Sequence, residues 1–195
     1  MNVALGLKAH SGWAALVVIG VADGELEVID RRRLDLVEEE WAKQPYHAAE
    51  QLEIKDARQV VKRGIRSAQK NAKRAVSDVL RRLEKNEHEV VGCAVLMGEP
   101  MPEWTVDQIL AVHFRMHKAE GVLFREALAS AARDCNLKVT EVPEKTLNDF
   151  AVQMLGKPIK KLNETVASLG KSVGAPWGKD QKEATLAAMI ALNDK

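Results

Sequence analysis

Apolar positions along this chain follow two different periods. From Asn2 to Ile29 they run almost unbroken, as Ala4-Leu5-Gly6-Leu7 and then Trp13-Ala14-Ala15-Leu16-Val17-Val18-Ile19, around a polar corner at Lys8 to Gly12. Asp23-Gly24 then returns the chain into Leu26-Glu27-Val28-Ile29. Asp-Gly between two β-rich runs is the mark of a tight hairpin, so the stretch predicts three antiparallel strands, the third continuing to Leu36. Val37 to Glu50 reads as irregular, because Pro45 restricts both itself and its predecessor. The period then changes. Val61, Ile65, Ala68, Ala72, Val76, Val79, Leu80 and Leu83 recur at three- and four-residue spacing and predict a helix from about Lys55 to Lys85. Val90-Val91-Gly92-Cys93-Ala94-Val95-Leu96-Met97 is continuously apolar, as expected of a strand buried on both faces and parallel to a neighbour. A long helix is expected from Thr105 to Cys135, with room for a kink at Gly121, followed by a strand over Leu137 to Val142. Helices are expected over Glu144 to Leu155, Ile159 to Leu169 and Asp180 to Leu192, with a glycine-containing loop from Gly170 to Gly178.

Composition narrows the class without choosing a function. A chain of 195 residues with 46% hydrophobic and 29% charged residues can bury one sizeable core, and a single domain over 1–195 is the expectation. Lys and Arg number 29 against 28 Asp and Glu, so only the distribution of charge can point to a polyanion. Cys93 and Cys135 lack metal-site spacing and fit a reducing compartment. Trp13 to Ala22 has the apolarity of a secretory core, but its only basic leader is Lys8 and hairpin signals bound it on both sides. No apolar run reaches the roughly 20 residues a bilayer requires. A cytoplasmic protein without membrane contact is expected, and a homodimer is compatible with it.

Charge is concentrated on the first long helix. Arg58, Lys62, Arg66 and Lys70 lie there with Lys73, Arg74, Arg81 and Arg82, and few acids offset them. Such a strip suits a phosphate backbone, each contact releasing counterions. The same residues are good helix formers on any solvated face, and the aromatic interleaving of single-strand binders is absent.

Gly6-Leu7-Lys8, a corner, Gly12-Trp13-Ala14 and the order βββαβαβα together resemble the ribonuclease H-like superfamily, most nearly the crossover-junction (RuvC-type) resolvases. The resemblance spans nearly the whole chain. It implies an α/β three-layer fold with a mixed five-stranded sheet ordered 3-2-1-4-5, the first three strands antiparallel and helices on both faces. It also implies a site where the carboxyl ends of strands one and four meet. In that family two divalent metals sit between carboxylates there and stabilise the attacking and leaving oxygens. The corresponding positions in this chain are Lys8, Glu99, Asp180 and Glu183, with Glu183-Ala184 standing where the family has its Asp-Ala.

Lys8 departs from the pattern, because the first position is an Asp in the family. An ammonium in place of a carboxylate beside a doubly charged ion changes the interaction by on the order of 10 kcal/mol, even at an effective dielectric of about 20. A degenerate acidic site follows, with Lys8 paired to Glu99 or Glu183, or holding a phosphate, or pointing outward. Binding of nucleic acid or another phosphate-bearing ligand without two-metal cleavage is the leading expectation.

Two rivals remain. His113, His117 and Glu120 share one helix face at i, i+4 and i+7 and could hold zinc or a similar ion for a hydrolase or nuclease, a divalent metal, Mg or Zn, being the cofactor expected. Core or capping histidines explain the same spacing. His10 and His47 would join them only if the fold brings them near. Alternatively, an exposed Trp41 or Trp104 would anchor a protein partner.

Overall fold

The computed structural model describes residues 1–194. Strands β1 (Asn2–His10), β2 (Trp13–Ala22) and β3 (Glu25–Asp35) form consecutive antiparallel hairpins. Positive φ at Asp23 (51°) and Gly24 (82°) gives the second turn the twist that matches its strands. β4 (Glu89–Met97) lies parallel to β1, and β5 (Val139–Pro143) parallel to β4. The sheet order is therefore β3-β2-β1-β4-β5. That is the order and direction implied by the ribonuclease H-like resemblance.

Alternation along β1 divides the core. Val3, Leu5, Leu7 and Ala9 face α2 (Ile54–Lys85) and α4 (His113–Asp134). Ala4 belongs to the opposite layer, covered by α5 (Leu147–Leu155), α6 (Ile159–Val173) and α7 (Lys179–Asn193). Gly6 and Lys8 continue the Ala4 face, because side chains two apart on a strand point the same way. At Gly6 the α7 backbone arrives directly on the sheet: a Cβ there would stand 1.8 Å from the Ala184 carbonyl oxygen and 2.7 Å from the Ala188 nitrogen. Ala184, Ala187, Ala188 and Ala191 are all buried, so α7 presents a small-residue face that permits this approach.

Three expectations are corrected. The segment expected to be irregular holds a 3-10 turn (Glu40–Lys43) and a short helix α1 (Pro45–Ala49), because Pro45 occupies the first helical turn, where its missing N–H costs nothing. The long helix after β4 is two helices, α3 (Val106–Leu110) and α4. The break lies at Val112, extended at φ −141° and ψ 114°, while Gly121 sits within unbroken helix. Thr105 and Gln108 close the start of α3 with a capping box, and its Ile109 packs into a third cluster with Tyr46, Ala49 and Val61. α6 continues past Leu169 to Val173 because Gly170 leaves room for the Trp177 indole, which lies where a Cβ would be.

The two glycines predict opposite outcomes for one substitution. Gly6→Ala forces α7 off the sheet and costs about 3 kcal/mol or more, above the usual overpacking range because backbone must move. Gly121→Ala, in an exposed helical position, stabilises by about 0.5–1 kcal/mol. Urea unfolding midpoints of the two variants check both signs.

Candidate functional site

Lys8 ends the Ala4-Gly6-Lys8 face of β1, and α7 runs antiparallel above it, so the turn of α7 preceding Ala184 lies over the lysine. The side chain is 5% exposed. Its ammonium donates a hydrogen bond to Glu183 and lies 3.3 Å from both Glu144 Oε1 and Asp180 Oδ1. Three N–H donors thus face three carboxylates. Glu144 reaches the group from just beyond β5, two strands away from Lys8.

Further basic side chains surround this core. Arg125, on α4, holds Glu144 Oε2 at 2.6 Å and also donates to the Gly121 carbonyl. Lys179 Nζ lies 3.6 Å from Glu183 Oε1, and His10 Nε2 lies 3.1 Å from Asp180 Oδ2. The His10 ring stacks on Trp13 with centroids 4.2 Å apart, and Arg33 caps the other ring at 4.4 Å. The Lys8 group opens into a cleft of about 680 Å³ bounded by Glu99, Arg125, Glu144, Lys145, Lys179 and Glu183.

Titration follows from these contacts. Burial opposes the charged form of Lys8 most strongly, but the hydrogen bond and charge of Glu183, joined by Glu144, outweigh it and raise its pKa above the ordinary 10.5. For Glu144, burial is again the largest influence and opposes ionisation. Arg125 and then Lys8 overcome it, so the carboxyl stays below its ordinary 4.5. Both groups are ionised at neutral pH, and each charge is answered locally.

Of the residues expected from sequence, Lys8, Asp180 and Glu183 come together. Glu99 lines the same cleft but turns to Lys145 at 2.6 Å, exposed to solvent, and does not reach Lys8. Glu144 was the acid missed. Its position immediately after Pro143, at the carboxyl end of a predicted parallel strand, was a usable signal; nothing local marked Arg125.

The basic helix is partly neutralised. Arg58 makes a two-pronged contact with Asp107, while Lys73, Arg74 and Arg81 pair with Asp134, Glu38 and Asp78. Lys62, Arg66 and Lys70 are exposed and have no carboxylate within 4.0 Å among the described residues. Lys62 and Arg66 rim a groove of about 700 Å³ whose floor includes Val61, Ile65 and Val106.

His113 and His117 also meet, Nε2 to Nε2 at 3.1 Å. The third member is His47 and not Glu120: one ring nitrogen from each of His47, His113 and His117 lies within 4.8 Å of the others. Glu120 is buried and committed elsewhere. Its Oε1 accepts from the Tyr46 and His47 backbone N–H groups at 3.1 Å, and its Oε2 meets His47 Nδ1 at 2.7 Å. His10 is drawn to Asp180 and stays apart from this group. Trp41 and Trp104 are half-buried under Arg63 and Arg115, so neither offers the exposed ring that a docking role was expected to require. No helix among the described residues is long and apolar enough to cross a membrane.

Removing the ammonium converts the carboxylates into a cation box. Lys8→Ala is expected to lose about 3–5 kcal/mol at neutral pH. Millimolar Mg²⁺ should then raise the melting temperature of the variant but not of the wild type; identical Mg²⁺ responses would contradict this account. Glu144 has a depressed pKa, so its contribution is complete above 4.5 and is lost as pH falls through the lower folded value. Glu144→Gln should therefore flatten the acid limb of the stability profile below about pH 4.5 in pH-dependent urea unfolding. Lys8, with its raised pKa, contributes fully below 10.5 and loses that contribution only as pH rises through the higher folded value.

No protein-family model matches the chain, and no curated protein is found similar to it. Among solved structures it is similar to Thermus thermophilus RuvC, with 13% identity and a TM-score of 0.48 over 96% of this chain and 92% of that one. T. thermophilus RuvC in complex with a Holliday junction substrate gives 13% identity and a TM-score of 0.48 over 97% and 92%. The Aquifex aeolicus member of the Ppx/GppA family gives 14% and 0.38, over 77% of this chain and 38% of that chain. The chain resembles these proteins distantly, and its strand order and directions make the fold ribonuclease H-like.

Proposed function

We propose that this chain binds nucleic acid through its phosphates, along the first half of α2, without two-metal hydrolysis, residues 1–195 acting as one ribonuclease H-like domain. The observation that carries the second half of this reading is the Lys8 ammonium, held by Glu183, Glu144 and Asp180 at the end of β1. A cation already satisfies the acids that would otherwise attract metal, and Arg125 takes the other oxygen of Glu144. A divalent ion entering there would meet both positive groups at close range.

What supports the first half is the contrast between two regions of charge. Around Lys8 each cation has its carboxylate, whereas Lys62, Arg66 and Lys70 are exposed on one helix without one. Unpaired ammonium and guanidinium groups in a row give up little on meeting phosphates, because no internal ion pair must first be broken. Arg58 contributes less, since Asp107 already holds it. The apolar floor beside Lys62 and Arg66 offers a surface for sugar or base edges.

Fluorescence anisotropy at low salt, with four-way junction, duplex and single-stranded oligonucleotides, tests the reading. Binding to at least one of them is expected, with no strand cleavage in Mg²⁺ or Mn²⁺. Charge reversal of Arg66 and Lys70 together should weaken binding at least tenfold and reduce the log–log salt slope by about 1 per lost contact. Absence of binding to all three probes, or metal-dependent cleavage, overturns the proposal.

A further inference from the structure

The histidine cluster lies outside the Lys8 group and has no part in the phosphate contacts above. Its members come from two elements distant in sequence: His47 from α1, and His113 and His117 from the first turns of α4. The hydrogen bond between His113 and His117 explains two of the imidazoles. It does not explain the third. His47 Nε2 is buried and has no hydrogen-bond partner among the described residues, although its ring centroid stands 4.6 Å from that of His117 and 5.0 Å from that of His113. A buried ring nitrogen without a partner is costly unless something else fills the position.

We propose that His47, His113 and His117 bind one divalent transition-metal ion of the zinc class, with Glu120 as a positioning residue for His47. Three neutral imidazoles suit such an ion and suit magnesium or calcium poorly, since those prefer oxygen donors. The spacing of one pair agrees: two nitrogens at the usual zinc–imidazole distance in a tetrahedron stand about 3.3 Å apart, against 3.1 Å between His113 Nε2 and His117 Nε2, and a His47 nitrogen lies within 4.8 Å of the other two rings' nitrogens.

The carboxylates behind the rings point the same way. Glu120 Oε2 takes the Nδ1 side of His47 and leaves Nε2 free to bind metal. Glu50 Oε1 lies 3.5 Å from Nδ1 of His113, again on the side away from the His117 contact. A carboxylate fixing one ring nitrogen while the other coordinates is the usual support of an imidazole–metal bond. His113 and His117 are exposed, so the fourth position of the ion faces solvent and is filled by water or an incoming ligand. Glu120 oxygens are directed at α1, which holds that element against α4 even without an ion.

The full chain, stripped with chelator and dialysed, is titrated with Zn²⁺ and separately with Co²⁺ against a chromophoric competitor. One equivalent is expected to bind, and Co²⁺ should give the intense visible bands of a four-coordinate nitrogen-rich site. His113→Ala and His117→Ala change solvent-facing side chains and should keep the wild-type melting curve in the absence of metal while losing the equivalent. Glu120→Gln should weaken affinity by about 10- to 100-fold and keep the four-coordinate spectrum. Stoichiometric uptake retained by both histidine variants, six-coordinate Co²⁺ spectra, or no uptake by the wild type overturns the assignment. Oligonucleotide binding is scored separately in the stripped protein, so either proposal can fail without the other.

Discussion

An ammonium that leaves water must find its counter-charges within reach, and Lys8 finds three carboxylates on two separate segments, the start of α7 and the chain just beyond β5. Unpaired, a buried charge costs several kcal/mol even after the surroundings relax. The lysine therefore constrains more than its own rotamer. It requires the start of α7 to lie over the end of β1 and the chain beyond β5 to turn inward with Glu144. Gly6 supplies the complementary steric condition, since only a missing Cβ lets the α7 backbone settle low enough for Asp180 and Glu183 to reach the amine. Charge pairing at one end of the helix and backbone contact along its middle are two parts of one fit.

The sheet was legible in the sequence because its signals are local and strong. Two turns bracket runs of β-branched residues, one apolar strand is flanked by long amphipathic helices, and handedness then leaves few orders for five strands. The convergence of Lys8 with Asp180 and Glu183 was legible through the resemblance, since residues 175 positions apart carry no local mark of each other. Glu144 carried only the weaker mark of its place at the end of β5, and Arg125 carried none, because what brings it in is the ion pair itself. The helix break at Val112 escaped for a similar reason. Ile109 is as helical in pattern as Phe114, and what separates α3 from α4 is the third cluster, which draws Ile109 toward Tyr46. His47 in turn belongs to a segment whose proline suggested disorder of pattern, although proline is well placed at a helix start.

Near neutrality of the whole chain conceals two unlike regions. Around the end of β1 positive and negative groups are interleaved about the buried Lys8, which fixes geometry and leaves little net field. Along α2 the pairing is incomplete: Arg82 and Lys85 at its far end make no ion pair among the described residues, but the row Lys62, Arg66 and Lys70 lies toward the end nearest α3, where Arg58 and Asp107 tie the two helices together. Whole-chain charge balance and a locally directed potential are therefore compatible.

Arg31 extends this reasoning to the rim of the sheet. From the outermost strand β3 its guanidinium has no carboxylate within 4.0 Å among the described residues and instead donates to the carbonyl oxygens of Val173, Gly174, Ala175 and Pro176. Those residues form the link between α6 and α7, so the entry of the acid-bearing helix is moored to the edge furthest from β5. Register slippage at that border strand would accordingly be transmitted as a displacement of Asp180, making a peripheral hairpin part of the alignment of the central lysine.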